Sequence, residues 1–341
     1  MATPDAPAGR AAFSFQEIVG ESESLREALD AARMIARASL STVLIVGETG
    51  TGKELFARGI HAEGTTSSAP FVAVNCAAIP ESLLESELFG HEAGAFTGAR
   101  TRKQGLMEFA GCGTLFLDEL HHLPPLLQPK LLRALEERKM RRLGGSEELS
   151  IACRIVAATN VAIEQAVEEG SFREDLFYRL NVMRVNVPPL RERTEDIEPI
   201  ALHFLATIAR GHGMPPKRLT VEAISVLRAH GWPGNVRELR NVMERAAVLS
   251  GEDVVVGVPH LLLQQRTNRS ALGSTTGEGK AGEIAIPPAG KTLAAIEREA
   301  ALLTLQLAGG NRTHCARMLG ISRPTLSRIL KDALSTRLEQ D

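Results

Sequence analysis

A short apolar run from Thr42 to Val46 leads straight into Gly47-Glu48-Thr49-Gly50-Thr51-Gly52-Lys53-Glu54, and a helical segment follows to His61. The run reads as a strand buried on both faces of a parallel sheet. The glycines allow backbone N–H groups to turn inward, and the following helix directs its positive end the same way. Strand, glycine loop and helix in this order form the context of a phosphate-binding loop. Lys53 would then reach the β- and γ-phosphates of ATP held with Mg2+. The residue after that lysine is usually Ser or Thr, whose hydroxyl holds the metal. Here it is Glu54, which leaves the metal ligand open.

Further strands are expected at Phe71–Asn75, Thr114–Leu117, Arg154–Ala158 and Val182–Val187, each separated from the next by helical sequence. Such alternation predicts an α/β fold with a parallel sheet. Leu115-Phe116-Leu117-Asp118-Glu119 ends a buried strand in two carboxylates. Asp118 is placed to hold magnesium, directly or through water, and Glu119 to polarise an attacking water. Another strand ends in Thr159-Asn160, where an uncharged polar group lies at the ligand-binding edge of an open sheet. Asn160 would sense the γ-phosphate or position the water. Asn75 ends its strand in the same way and would orient Glu119. Arg173 and Arg179, expected six apart on one helix, suit phosphate recognition across a subunit boundary or a salt-bridged surface.

Composition bounds the partners. The net charge is −2 over 341 residues, so any nucleic-acid contact must be a local patch. The four cysteines show no metal or redox spacing, which fits a reducing compartment. No apolar run is long enough to span a membrane, and the N-terminus lacks the apolar core of a signal peptide. A cytoplasmic protein is expected.

Residues 1–14 are expected to be a disordered tail and residues 15–191 the α/β unit. Helical patterns at about 195–210, 220–230 and 235–250 predict a small all-helical unit over 192–263. A Gly/Ser/Thr-rich linker is expected over 264–290, with a reach on the order of 28 Å as a flexible coil. The unit over 291–341 reads as a helix from Thr292 to Leu307, a second from Asn311 to Leu319, a turn at Gly320-Ile321-Ser322 and a last helix to Leu334. Ser322 is a good N-cap, and Pro324 falls in the first turn where proline is tolerated. Leu326, Ile329, Leu330 and Ala333 share one face of that helix, and Arg323, Ser327, Arg328 and Lys331 the other. Residues 311–337 carry six basic residues against one acid, Asp332. This is a helix-turn-helix suited to a major groove, with Arg312, Thr313 and Thr325 beside the basic face. A helical hairpin used for dimerisation is the alternative. His314 and Cys315 read as packing or surface residues.

One loop has no period. Gly90-His91-Glu92-Ala93-Gly94-Ala95-Phe96-Thr97-Gly98-Ala99 brackets a single aromatic with glycines. It reads as a hairpin tip whose Phe96 is poorly placed for a core and well placed to grip something.

Taken together, these stretches resemble the AAA+ sigma-54-dependent transcriptional activators, the bacterial enhancer-binding proteins. The resemblance rests on Gly47 to Glu54, Asn75-Cys-Ala-Ala, Glu85-Ser-Glu-Leu-Phe-Gly-His-Glu and Gly94-Ala-Phe-Thr-Gly-Ala. It rests also on Gly113 to Glu119, Phe172 to Asn181, Pro188-Pro-Leu-Arg-Glu-Arg and Trp232-Pro-Gly-Asn-Val-Arg-Glu-Leu. Residues 311–326 resemble the Fis-type DNA-binding domain of the same activators. The family implies that Glu54 is normal at its position and that Asn75 couples Glu119 to the nucleotide state. It implies that Arg173 and Arg179 are arginine fingers in a ring, from dimer to hexamer, and that Arg237 is the lid arginine that senses nucleotide. Gly94, Ala95, Phe96, Thr97, Gly98 and Ala99 would contact sigma-54 in its RNA polymerase holoenzyme, with residues 138–148 forming a second surface loop beside them. The C-terminal unit would bind double-stranded enhancer DNA.

The expected function is ATP-driven conversion of a closed promoter complex into an open one. A DNA-binding regulator or repressor that uses ATP only to oligomerise is the alternative. An AAA+ helicase or loader is disfavoured by a loop that is apolar rather than basic. With only about 14 residues ahead of the ATPase in this sequence, control by a regulatory partner in trans or by expression level is expected.

Overall fold

The computed structural model describes residues 14–38, 42–65, 67–160, 163–263, 301, 304–305 and 311–335. The expected tail up to residue 13, the linker 264–290 and most of the helix expected from Thr292 to Leu307 lie outside the described residues. Ser14, assigned to the tail, caps a 3-10 turn at Phe15–Glu17 through a capping box with Glu17. The chain divides into two compact units, 1–264 and 265–341.

The first unit contains β1 (Val43–Val46), β2 (Phe71–Asn75), β3 (Gly90–His91), β4 (Lys103–Gln104), β5 (Thr114–Asp118), β6 (Lys139–Met140), β7 (Leu149–Ser150), β8 (Arg154–Thr159) and β9 (Met183–Asn186). Five of these form one parallel sheet in the order β2-β5-β8-β1-β9. Its strands are apolar at successive positions because both faces are covered. On one face Val43, Ile45, Phe116, Val156, Ala158 and Val185 pack on α1 (Glu23–Ala36) and α2 (Lys53–Ala62). On the other, Leu44, Val74, Leu115, Leu117, Ile155 and Ala157 join one core with α3 (Glu81–Phe89), α4 (Leu106–Phe109), α5 (Gln128–Glu137), α6 (Ile163–Glu168) and α7 (Glu174–Leu180). Arg154 is buried and donates to the carbonyls of Ile35 and Ala36, so it closes the C-terminal end of α1.

The register sets the site. Asn75 pairs with Asp118, and Val46 with Thr159, so the polar ends of β2, β5 and β8 meet the end of β1 along one edge. In open α/β sheets that edge binds ligands.

Three helices follow: α8 (Ile197–Gly211), α9 (Val221–Ala229) and α10 (Asn235–Leu249). They enclose a core around Trp232, whose indole N–H donates to the carbonyl of Leu227. The unit is not all-helical as expected. Two-residue strands β10 (Arg218–Leu219) and β11 (Val255–Val256) pair in parallel there. Segments so short carry no readable alternation.

The second unit places α11 (Arg312–Met318) and α12 (Arg323–Ser335) around a small core of Ala301, Cys315, Ala316, Leu326 and Leu330. Cys315 is a packing residue. Gly320 takes a left-handed φ of 66° in the turn between the helices. No helix of the described residues is long and apolar enough to cross a membrane.

Candidate functional site

The loop from Gly47 to Gly52 is held at both ends. Gly47 N–H donates to the Thr159 carbonyl at 3.2 Å, and Thr51 bonds back to the Glu48 carbonyl through N–H and hydroxyl. Gly50 and Gly52 have φ of 82° and 103°, which glycine adopts without strain. Lys53 is buried, and its ammonium donates to the carbonyls of Gly47 at 2.9 Å and Glu48 at 3.2 Å. Burial lowers its pKa, against the opposing pull of Glu119 and Asp118. Glu54 lies on the exposed face of α2 and pairs with Arg58 at 2.7 Å.

Asp118 is half-buried at the end of β5, and burial raises its pKa. Its Oδ1 accepts the N–H of Glu119 at 2.9 Å. Glu119 has a left-handed φ of 52°, and its Oε2 is buried without a hydrogen-bond partner. Asn160 donates to the Thr49 hydroxyl at 2.7 Å, while its Oδ1 is buried and unpartnered. The structure therefore brings Lys53, Asp118, Glu119, Thr49 and Asn160 to one edge. It brings Asn75 beside Asp118 in register, but the amide oxygen of Asn75 is taken by the N–H of Ala77 at 2.9 Å.

Arg173 is not within a helix turn as expected. It occupies the N-cap of α7 in an extended conformation and grips Asp175 through two bonds. Arg179 donates to the Leu135 carbonyl at 3.0 Å. Both are exposed, and Tyr178 and Val182 beside them expose large apolar side chains.

Several contributors escaped the sequence reading. Asn235 is fully buried with a φ of 50°, and donates to Glu48 Oε2 and to the Thr49 carbonyl, both at 3.1 Å. Its Oδ1 accepts the N–H of Leu190 at 2.7 Å. Arg191 pairs with Glu48 at 2.7 Å, and that bond lowers the pKa of Glu48. Buried Arg193 donates to the Thr51 carbonyl. Arg237, which the sequence did single out, is exposed at the start of α10 and donates its backbone N–H to the Gly50 carbonyl at 3.3 Å. The helical unit thus clasps the phosphate loop from the far side. Arg191 and Arg193 stand in a quoted motif, but no local pattern states that they reach back about 140 residues to the loop.

Gly50 sits under that clasp. A Cβ there would lie 2.3 Å from the Gly234 carbonyl oxygen, on a backbone with φ of 82°. Gly50→Ala is therefore expected to force the lid off the loop and to weaken ATP binding at least about tenfold, from left-handed strain of about 1–2 kcal/mol plus the clash. Titration of a fluorescent ATP analogue checks this; unchanged affinity would mean the clasp does not shape the nucleotide site.

Comparison with known proteins places this arrangement. A family profile for the Sigma-54 interaction domain matches residues 18–186, one for the AAA+ ATPase lid domain matches 191–276, and one for the Fis family of bacterial regulatory proteins matches 292–332. Transcriptional regulatory protein ZraR of Klebsiella oxytoca is 44% identical over 310 residues, covering 91% of this chain and 67% of that protein. Regulatory protein AtoC of Escherichia coli (strain K12) is 46% identical, covering 87% of this chain and 64% of that protein. This chain belongs to the sigma-54-dependent AAA+ regulators. NtrX from Brucella abortus superposes with a TM-score of 0.73 at 36% identity, covering 92% of this chain and 68% of that structure. Further NtrX structures contain ADP and ATP. The chain spans about two thirds or less of the curated relatives' length, 67% for ZraR, 64% for AtoC and 58% for the Nif-specific regulatory protein of Azotobacter vinelandii.

The Gly94–Ala99 loop of this sigma-54 regulator rises from the β3–β4 hairpin. Gly94 N–H donates to the Ala99 carbonyl at 2.7 Å, pinching the tip closed. Gly94 and Gly98 have φ of 84° and 108° with nothing near a would-be Cβ, so backbone geometry alone demands them. Phe96 is 42% exposed but not bare, because its ring packs edge-on over His91 at 5.0 Å. His91 in turn bonds Ser86 of α3 at 2.8 Å. The second surface loop is the β6–β7 hairpin, and Leu143 bonds the backbone of Gly90 and Glu92. Buried Arg142 binds Glu92 and Glu108, tying the two hairpins together.

In the Fis-type unit Arg312, Thr313, Ser322, Arg323, Pro324 and Arg328 are exposed, and Thr325 and Ser327 half-buried. Ser322 Oγ accepts the Thr325 N–H at 3.3 Å, the N-cap read from the sequence. Lys331 lies in α12; its side chain is outside the described residues.

Proposed function

We propose that this chain is an ATP-hydrolysing activator of sigma-54-dependent transcription. The observation that carries it is the sheet edge where a buried lysine, two acids and Asn160 converge, within one domain that also carries the Gly94–Ala99 loop. The residues fit a magnesium nucleotide. Asp118 is a half-buried hard oxygen donor facing Lys53, and Asn160 Oδ1 is a buried acceptor without a partner. Mg2+ bound with ATP supplies a Lewis acid to the phosphoryl oxygens.

Gly47 to Lys53 cradle the phosphates, Asp118 holds the metal, and Glu119 takes a proton from the attacking water. Asn160 and Arg237 sense the nucleotide, and Asn75 relays its state. Arg173 and Arg179 reach the ATP of a neighbouring protomer in a homo-oligomeric ring, which would also cover Tyr178 and Val182. Residues 15–191 act as the ATPase core, 192–263 as its lid, 264–290 as a linker and 291–341 as the enhancer-binding unit. Arg312, Thr313, Ser322, Arg323, Pro324, Thr325, Ser327, Arg328 and Lys331 contact the DNA.

Purified chain, sigma-54 holoenzyme and a sigma-54 promoter template test the reading. Heparin-resistant open complexes are expected with Mg-ATP and none with a non-hydrolysable analogue. Hydrolysis without open complexes would favour a regulator that uses ATP only to assemble.

A further inference from the structure

Glu119 is proposed above as the base, yet its Oε2 is buried without a hydrogen bond. A carboxylate so placed must be oriented by some neighbour if it is to face a water. The side chain placed for that task is His121. Its Nδ1 stands 3.6 Å from Glu119 Oε2 and 3.3 Å from Thr159 Oγ1. The imidazole is mostly buried, with 16% of its side chain exposed, in the 3-10 turn Leu120–His122 that directly follows Glu119.

We propose that His121 is a positioning residue that holds the Glu119 carboxylate and ties its place to the end of β8. This rests on the functional reading above. Nδ1 has two partners within a few tenths of an ångström of equal reach, the Thr159 hydroxyl and the Glu119 carboxylate. Thr159 is itself pinned, because its carbonyl accepts the N–H of Gly47 at the start of the phosphate loop. The next residue, Asn160, bonds Thr49 in the same loop. A shift of β8 against the loop therefore changes which partner His121 holds. Asn75 spends its amide oxygen on the N–H of Ala77, and His121 adds a link to the base from the β8 side. Burial lowers the pKa of His121, reinforced by His122 and Lys53 and opposed by Asp118, and the neutral tautomer with its proton on Nδ1 can donate to either oxygen.

Glu119, His121 and His122 also bring ligand atoms within 4.8 Å of one another. The double engagement of Nδ1 favours the orienting role over ligation, and the test separates the two.

The experiment compares His121→Phe, which keeps the ring and removes both nitrogens, with His121→Asn, whose amide nitrogen takes the place of Nδ1. Binding of a fluorescent ATP analogue confirms that each variant folds its site. For His121→Phe, kcat is expected to fall about 10- to 100-fold with KM for ATP little changed, and His121→Asn to recover most of the loss. Thr159→Val should add nothing to His121→Phe, since both act through one bond. Equal losses in Phe and Asn variants, or parental kcat in His121→Phe, would overturn the proposal. So would Co2+ absorption bands that appear in the parent chain and vanish in His121→Phe, because a ligating ring does not orient Glu119. Absence of hydrolysis by the parent chain would instead overturn the functional reading itself.

Discussion

Glu119→Gln is expected to bind ATP as the parent chain does and to hydrolyse it about 10²- to 10⁴-fold more slowly, the range a positioned base contributes. The amide keeps the shape of the side chain and removes its ability to take a proton. Binding survives because the phosphate loop is held by other groups. Gly47 bonds Thr159, Lys53 stands on the loop carbonyls, Asn235 and Arg193 clasp the loop from the lid, and Arg191 at the entry to the lid pairs with Glu48. Glu119 also stands at a φ of 52°, a left-handed conformation that a non-glycine residue holds only where its surroundings impose it. That strain places the carboxylate directly after Asp118, turned out of the line of β5. Phosphate release and nucleotide fluorescence, measured on the same preparation, separate the two effects. Hydrolysis near the parental rate would assign the base elsewhere; lost binding would make Glu119 a structural support.

The sheet was legible because burial on both faces leaves a plain mark. Val43 to Val46, Phe71 to Asn75 and Arg154 to Thr159 are apolar runs of strand length that end in polar residues or glycine, and each became a strand within a residue of its expected limits. The phosphate loop was legible because its chemistry demands glycines at fixed spacing. The helical boundaries of the lid followed from periodicity, but its parallel pair of two-residue strands did not. Long-range polar contacts were not legible. Asn235 reads locally as a turn residue after Pro233-Gly234, yet it is buried and joins Leu190, Glu48 and Thr49. His121 reads as one of two adjacent histidines, yet the turn after Glu119 puts it against Thr159. Such roles depend on which strands become neighbours, and the order β2-β5-β8-β1-β9 is a property of the whole sheet. Arg173 shows the opposite error. It is expected on one helix with Arg179, but the chain enters α7 there in an extended conformation, and Asp175 turns the guanidinium onto the N-terminal end.

Phe96→Ala is expected to leave ATP hydrolysis close to parental and to lower open-complex formation about 30-fold or more, as loss of an aromatic anchor worth about 2 kcal/mol would. The loop owes its shape to its backbone, not to the ring. Gly94 bonds Ala99, Ala99 bonds Phe96, and the glycine φ values set the turn. Beneath it the two hairpins are fastened by Arg142 between Glu92 and Glu108 and by the backbone bonds of Leu143. Removing the ring exposes His91 but breaks none of these links and touches nothing at the nucleotide edge. The contact of Phe96 with His91 gives the side chain a stored position, and His91 is fixed in turn by Ser86 of α3. A phenyl ring resting edge-on against an imidazole leaves at small cost, of the order of 1 kcal/mol. The resting ring is thus available to a partner that offers a deeper apolar pocket. His91→Ala should then free Phe96 without removing it, and activation should survive in that variant. Full activation by Phe96→Ala would remove the loop from its assigned role. Joint loss of hydrolysis and activation would mean that the ring supports the fold of the hairpins and not the contact with sigma-54.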